Sequence, residues 1–215
     1  RYLLNALLMA LGSAAVTLFV CVTGAYTLSI LRPRWGDVVY WAVLATLFIP
    51  GIVSLVPLYL TVLDLPGLGI SLLNTMWAVW LPAGASAFSL VLAKRFFDSI
   101  PRELIEAARI DGASELRIVF QIVAPSVLPA IAALTLFAFV YHWNSYLWPL
   151  TVLQGNTDAY PIVISLSRLL SYNRGAMNTG LVMAGSTLAV LPPVVLFIFL
   201  QRFFVDSVVA SGVKG

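Results

Sequence analysis

The chain alternates between long apolar runs and short polar connections, and five runs stand out: residues 3–31, 38–63, 72–97, 118–150 and 181–204. A helix needs about 20 largely apolar residues to cross a hydrocarbon layer roughly 30 Å thick, so each run is long enough to span. The runs are continuous, whereas strands of a membrane barrel alternate apolar and polar at every second residue over about ten residues. The pattern predicts an all-α membrane protein, a polytopic helical bundle with five visible transmembrane helices. Residues 1–215 read as a single domain, since no polar linker separates two apolar groups and no internal repeat is convincing.

Between the third and fourth runs the pattern changes to small residues mixed with charge. Pro101 suits the first position of a helix, where its missing N–H would have no partner, and Glu103 lies near the positive end of the helix dipole. Helical spacing puts Leu104, Ile105 and Ala108 on one face, while Glu106 and Arg109, three apart, are placed to pair on another. Gly112 permits the left-handed conformation that ends a helix and turns the chain back. So short an amphipathic helix does not span a membrane; it fits docking.

Proline and neutral polar residues interrupt the runs. Pro50 and Pro57 fall in the second, Pro82 in the third, Pro125 and Pro129 early in the fourth and Pro192-Pro193 in the fifth. Each removes a backbone donor and kinks a helix where neighbours satisfy the freed groups. Acids and bases are absent from the centres of the runs, which argues against a proton pump or a cation pathway. The side chains left there are Asn74, Trp77, Trp80, Ser86 and Ser89, then Trp143, Asn144, Ser145 and Tyr146, then Ser186 and Thr187. Aromatic faces beside neutral hydrogen-bonding groups suit an uncharged polyol or sugar. Asn74, Trp77, Trp143, Asn144 and Tyr146 are the candidate substrate pathway.

Composition fixes the solvent. The chain is 61% hydrophobic and 10% charged, against roughly 25% charged in soluble domains. The net charge of +3 says little, but its placement gives orientation. Arg32 and Arg34 lie in the first connection, Lys94, Arg95, Arg102, Arg109 and Arg117 in or beside the third, and Arg202 and Lys214 at or beyond the last run. Residues 64–71 carry no Lys or Arg, and the fourth connection holds only Arg168 and Arg174. The positive-inside rule makes the first and third connections and the C-terminus cytoplasmic and the N-terminus external. A further span is therefore expected upstream of Arg1.

Catalytic chemistry finds little support. Cys21 has no second thiol for a disulfide or metal site, and His142 has no carboxylate or nucleophile beside it, so both are expected to pack. No phosphate-binding loop is present, so the chain does not hydrolyse nucleotide itself. A secondary transporter would need intramembrane coupling sites and often a repeat. A membrane-embedded enzyme would need carboxylates, His or Cys clustered at one interface.

The segment Glu106-Ala107-Ala108-Arg109-Ile110-Asp111-Gly112-Ala113, followed by Ile118, Ile122 and Pro125, closely resembles the EAA loop of the membrane subunits of binding-protein-dependent ABC importers. Phe96-Phe97-Asp98-Ser99-Ile100-Pro101 before it, and Trp143-Asn144 with Trp148-Pro149-Leu150 after it, are similar to the carbohydrate-uptake permeases of the maltose-transporter type. So is the tail from Gln201-Arg202-Phe203-Phe204 to Val213-Lys214-Gly215.

That resemblance implies a permease subunit, not an enzyme, for a sugar or similar polyhydroxylated solute, in a bacterial or archaeal cell (inner) membrane. Such permeases usually carry six spans, so the first is implied to be missing from this sequence. A coupling loop at about 98–117 would carry the cytoplasmic EAA helix into a groove of a separate ATPase dimer, which binds the ATP and Mg; this chain binds no cofactor and no metal. Leu104 and Ile105 would supply apolar grip, Ala107, Ala108 and Ala113 close approach, Glu106 and Asp111 steering charge, and Gly112 the turn. The span around Pro125 and Pro129 would transmit the motion. The extracytoplasmic loop at about 151–179 would face a solute-binding protein, its turn from Gln154 to Asp158 reaching into that partner and residues 161–170 forming an interfacial helix. A second permease subunit and membrane lipid complete the partners, with no nucleic acid.

Overall fold

The computed structural model of the protein describes residues 1–172 and 179–212, the backbone alone at 171–172 and 204–212. The tail Val213-Lys214-Gly215 and residues 173–178 of the fourth connection lie outside the described residues. Helix α1 (Tyr2–Tyr26) continues through a π-helical turn, Thr27–Leu31, and stops at Arg32, which is left-handed at φ 46°. Helix α2 (Gly36–Thr46) is followed by a 3-10 turn, Gly51–Ser54, and by α3 (Leu55–Leu63). Then come α4 (Trp77–Ala83), α5 (Ala87–Phe97) and α6 (Arg102–Ile110). A single turn, α7 (Glu115–Arg117), leads through a π-helical stretch, Ile118–Val123, into α8 (Ala124–Ser126) and α9 (Leu128–Trp143). Helices α10 (Leu147–Val152), α11 (Ile162–Tyr172) and α12 (Thr179–Gly212) complete the order.

Tyr2–Leu31 and Thr179–Phe203 are unbroken helices long and apolar enough to span, and three bent pairs bring the total to five. The bends are 105° between Gly36–Thr46 and Gly51–Leu63, 43° between α4 and α5, and 90° between Glu115–Ser126 and α9. Each bend has a proline at or beside it. Pro50 sits at ψ 129°, outside the helical region, and Pro82 lies in the last turn of α4. Val127 leaves helical geometry at φ −117° between Pro125 and Pro129. Ser86 restarts the second pair as the N-cap of α5, its Oγ accepting the Ser89 N–H at 3.4 Å. Pro192 and Pro193 differ from expectation: α12 runs through them, as a helix does when the freed carbonyls are few and the flanking turns hold.

Two boundaries also move. The helix of the third apolar run, α4, begins at Trp77, so Asn74 lies in the connection before it, at φ 62°. Helix α9 ends at Trp143, which places Asn144, Ser145 and Tyr146 in the break before α10.

Backbone packing groups the chain into two units, Arg1–Val16 with Pro50–Ala83 and Phe137–Phe199, and Thr17–Ile49 with Gly84–Leu136 and Leu200–Gly215. In the first, Ala6, Ala10 and Ala14 form an i, i+4, i+8 stripe on α1, buried in a cluster with Ala138, Phe139, Trp143 and Ile162. Small residues at such spacing let membrane helices approach closely. Gly12 extends this logic, because a Cβ there would lie 2.4 Å from Cε2 and Nε1 of the Trp80 indole. A second cluster gathers Met9, Val62, Ala78, Val79, Val152 and Ile164, and the Trp148 Nε1–H donates to the Ala78 carbonyl at 3.1 Å.

In the second unit, Cys21, Val22, Ala25 and Tyr26 of α1 share a core with Ala93, Phe97, Ile105, Ala108, Ile118, Val119, Val123 and Leu134. Helix α6 enters this core and leaves it by a tight corner. Pro101, at ψ 133°, stands just before the helix rather than in its first position, and Glu103 occupies the first turn. At the other end the Ala113 N–H donates to the Ala108 carbonyl and the Gly112 N–H to the Arg109 carbonyl, both at 3.0 Å, with Gly112 at φ 77°. That pair of bonds around a left-handed glycine is the Schellman arrangement.

Gly12→Val is expected to displace Trp80 and destabilise the detergent-solubilised protein by about 1–3 kcal/mol, read as a lower thermal midpoint; an unchanged midpoint would contradict the close approach. At Gly112 no atom lies within 4 Å of an added Cβ, so the cost there is conformational alone. Gly112→Val is expected to cost about 1–2 kcal/mol and Gly112→Asn much less, since Asn tolerates the left-handed region. Hydrogen exchange of residues 102–113 in the two variants checks this, and equal protection would exclude the left-handed corner.

Candidate functional site

Helix α6 has two distinct faces. Ile105 and Ala108 are buried in the core of the chain itself, with Ala113 partly buried beside them. Leu104 is 41% exposed and Ile110 87%, and Ala107 between them is also exposed. The free apolar stripe is therefore Leu104, Ala107 and Ile110, three apart, rather than Leu104, Ile105 and Ala108. Glu106, Asp111 and Gly112 are exposed, and neither acid has an ion pair among the described residues. Ile110 was not singled out from sequence, although it lies about 170° round the helix from the buried pair at 100° per residue. Leu116, just beyond the corner, is also exposed, at 68%.

The expected Glu106–Arg109 pair does not form. The Gly112 corner brings Glu115 back alongside Arg109, whose Nε donates to Glu115 Oε1 at 3.0 Å and whose Nη2 donates to Oε2 at 3.3 Å. Two parallel bonds to one carboxylate suit a guanidinium better than a single i, i+3 contact. The hydrogen bond to Glu115 raises the Arg109 pKa further above its ordinary value, so the guanidinium stays charged. The hydroxyl of Tyr26, whose ring is buried, donates to Glu115 Oε2. Sequence reasoning missed this link, since nothing local relates Tyr26 to a residue 89 positions away.

The candidate pathway residues separate into supports and exposed groups. Asn74 anchors a turn: its N–H donates to the Val152 carbonyl at 2.8 Å, its Oδ1 accepts the Gly155 N–H at 2.6 Å and its carbonyl accepts Asn156 Nδ2 at 3.2 Å. The turn from Gln154 to Asp158 is thus held against its own chain, and the Arg1–Asp158 ion pair at 2.8 Å holds its far end. Trp143 is 2% exposed, stacked on Phe139 at 5.5 Å with Nε1 donating to the Ala189 carbonyl at 3.1 Å. Its ring has no face free for stacking. Trp77 is exposed and meets Trp80 edge-on at 5.1 Å. Asn144 is exposed, and its Nδ2 donates to the Val140 carbonyl at 2.8 Å. The partly exposed Tyr146 accepts a hydrogen bond from Ser167 Oγ at 3.3 Å. The Ser86 and Ser89 hydroxyls bond each other at 2.9 Å as part of the α5 cap. Cys21 and His142 are buried. Among the described residues no group of three or more His, Cys, Asp or Glu side chains is arranged to hold a metal.

This architecture has relatives. Residues 21–209 match the family described as binding-protein-dependent transport system inner membrane component. The chain is 31% identical over 217 residues to the arabinooligosaccharides transport system permease protein AraQ of Bacillus subtilis, covering all of this chain and 74% of the relative. It is 34% identical over 211 residues to the sn-glycerol-3-phosphate transport system permease protein UgpE of Agrobacterium fabrum, covering 98% and 73%. Among solved structures it superposes, with a TM-score of 0.70 and 26% identity, on a chain of a bacterial ABC transporter involved in the import of the acidic polysaccharide alginate, covering 99% of this chain and 73% of that one. With up to five spans and a match over most of its length, the chain belongs to the binding-protein-dependent inner membrane components, the non-catalytic permease type of subunit in ABC import systems.

Proposed function

We propose that this permease forms part of the pathway for a sugar or related polyol and receives its driving force through α6, which docks in a groove of a cytoplasmic ATPase dimer. The observation that carries the docking role is the free face of α6: Leu104, Ala107 and Ile110 stand exposed on a helix whose opposite face is fixed in the core of the chain. Glu106 and Asp111 flank that face and supply steering charge, Ala107 lets the groove wall approach, and Gly112 sets the angle at which the helix leaves. Ile105, Ala108 and Ala113 serve the same docking from behind, as the wedge that makes the helix a rigid extension of the bundle. ATP and Mg reside in the partner, whose closure moves α6 and shifts the permease between inward-open and outward-open states.

The solute class rests on the named transport systems of the relatives and on the chemistry of the exposed polar groups. An arabinooligosaccharide and sn-glycerol-3-phosphate are both rich in hydroxyls, and the sequence motifs resemble the maltose-transporter type within that range. Trp77 and Tyr146 offer rings, and Asn144 keeps its Oδ1 free of partners among the described residues while Nδ2 is bonded. In this reading Asn74 and Trp143 frame the pathway rather than touch the solute. A second permease subunit, lipid and an extracytoplasmic binding protein complete the importer, the last facing the 151–179 connection. The candidate window of α12 buries none of its residues against the rest of the chain, which suits a helix covered by lipid or by the second permease. The first and third connections and the C-terminus face the cytoplasm of a bacterial or archaeal cell.

Reconstitution with the ATPase, the second permease and the binding protein tests the assignment, using a panel that includes an arabinooligosaccharide and sn-glycerol-3-phosphate. Ile110→Asp is expected to lower recovery of the ATPase with the permease by on the order of tenfold, since burying an isoleucine contributes about 1.5–3 kcal/mol. Full recovery in that variant would remove α6 as the docking element. Asn144→Leu is expected to weaken solute-stimulated ATP hydrolysis about three- to tenfold with thermal stability unchanged; a stability loss at unchanged apparent solute affinity would assign Asn144 to packing.

A further inference from the structure

The core contact of α6 is apolar and has no direction of its own, yet a lever must keep a fixed angle to transmit force. The polar chain Arg109–Glu115–Tyr26 supplies that angle. Arg109 is the next-to-last residue of α6, Glu115 opens the helix after the corner, and Tyr26 is the last α-helical residue of α1. Arg109 grips both oxygens of Glu115, and Glu115 receives the Tyr26 hydroxyl. Three segments distant in sequence thus meet on one carboxylate. An ion pair between side chains 42% and 48% exposed stabilises little by itself. The third member changes its character, because the Tyr26 ring is locked in the core and its hydroxyl cannot swing away.

The surroundings point the same way. Tyr26 immediately precedes the π-helical turn Thr27–Leu31, and Glu115 lies three residues before the π-helical stretch Ile118–Val123. π-Helical turns are rare departures from α-helical winding, and they recur at functional sites. The clamp therefore joins the end of α6 to two π-helical segments, all within one packed unit. We infer that Arg109, Glu115 and Tyr26 are positioning residues for coupling: they fix α6 to the end of α1 and to the 115–123 segment, so that displacement of α6 drives the π-helical turns. This inference rests on the docking role proposed for α6, but not on the identity of the solute.

The test needs no solute. The whole importer, with the second permease and the ATPase pair, is placed in nanodiscs, and hydrogen exchange is measured with and without ATP, Mg and vanadate. In the unaltered protein, residues 102–113 and residues 25–31 are expected to respond together. In Glu115→Gln and in Tyr26→Phe, which leaves the ion pair intact, the ATPase is expected to stay bound and 102–113 to respond. The response of 25–31 is expected to fall by about fivefold or more. R109E/E115R, which restores an opposite-charge pair, is expected to recover part of it. An undiminished response of 25–31 in both single variants would overturn the clamp, as would loss of the bound ATPase from both. Failure of the unaltered permease to retain an ATPase would overturn the docking reading itself, which separates the two claims.

Discussion

Burial of one face of α6 in the core of the chain is the interaction on which the exposed face proposed for docking depends. Ile105 and Ala108 sit with Val22, Ala25 and Tyr26 of α1 and with Ile118, Val119 and Val123. Removing an isoleucine side chain from water contributes roughly 1.5–3 kcal/mol, which is substantial for a nine-residue helix too short to be stable alone. Once that face is fixed, the helical repeat leaves no choice for the others: Leu104, Ala107 and Ile110 must stand outside. The Gly112 corner then returns the chain so that Glu115 meets Arg109. The exposed face proposed for docking, the turn and the Arg109–Glu115–Tyr26 contacts all follow from one buried stripe.

The rest of the bundle obeys the rule that a backbone in hydrocarbon must satisfy its own hydrogen bonds. Breaks are therefore confined to sites with substitutes at hand. Ser86 caps the restarted α5, Asn74 bonds both sides of the 152–156 turn, and Asn144 caps the end of α9 through the Val140 carbonyl. The neutral polar residues of the apolar runs are in large part this repair set. Trp77, Asn144 and Tyr146 are left exposed beside it, and they are the residues proposed above to meet the solute.

Much of this was legible in the sequence. Five apolar runs, a short helix beginning near Pro101 and its left-handed end at Gly112 follow from local periodicity and turn chemistry, which act over a few residues, while the helix expected over 161–170 from the family resemblance is found at Ile162–Tyr172. The departures come mostly from partners that helical spacing alone does not supply. Pairing Arg109 with Glu106 used helix spacing alone and overlooked the corner that delivers Glu115. Trp143, expected on the pathway, stacks on Phe139 and donates to the Ala189 carbonyl 46 residues on. Asn74 looked intramembrane because the apolar run begins at Leu72, yet its partners are the 152–156 turn. Choosing Leu104, Ile105 and Ala108 as one face was right for the latter two and missed Ile110, since sequence does not say which side of a short helix its own chain will cover.

Thiol accessibility across α6 tests the two-faced helix most directly. Single cysteines are placed at Leu104, Ile105, Ala108 and Ile110 in a Cys21→Ala background, and a membrane-impermeant maleimide is applied to inside-out vesicles with and without the bound ATPase. The account predicts that Leu104→Cys and Ile110→Cys label readily in the permease alone and become protected by the ATPase, while Ile105→Cys and Ala108→Cys stay unreactive in both states. Ready labelling at Ile105 that the ATPase suppresses, with Ile110 indifferent to it, would contradict the assignment of the faces and the docking surface built on it.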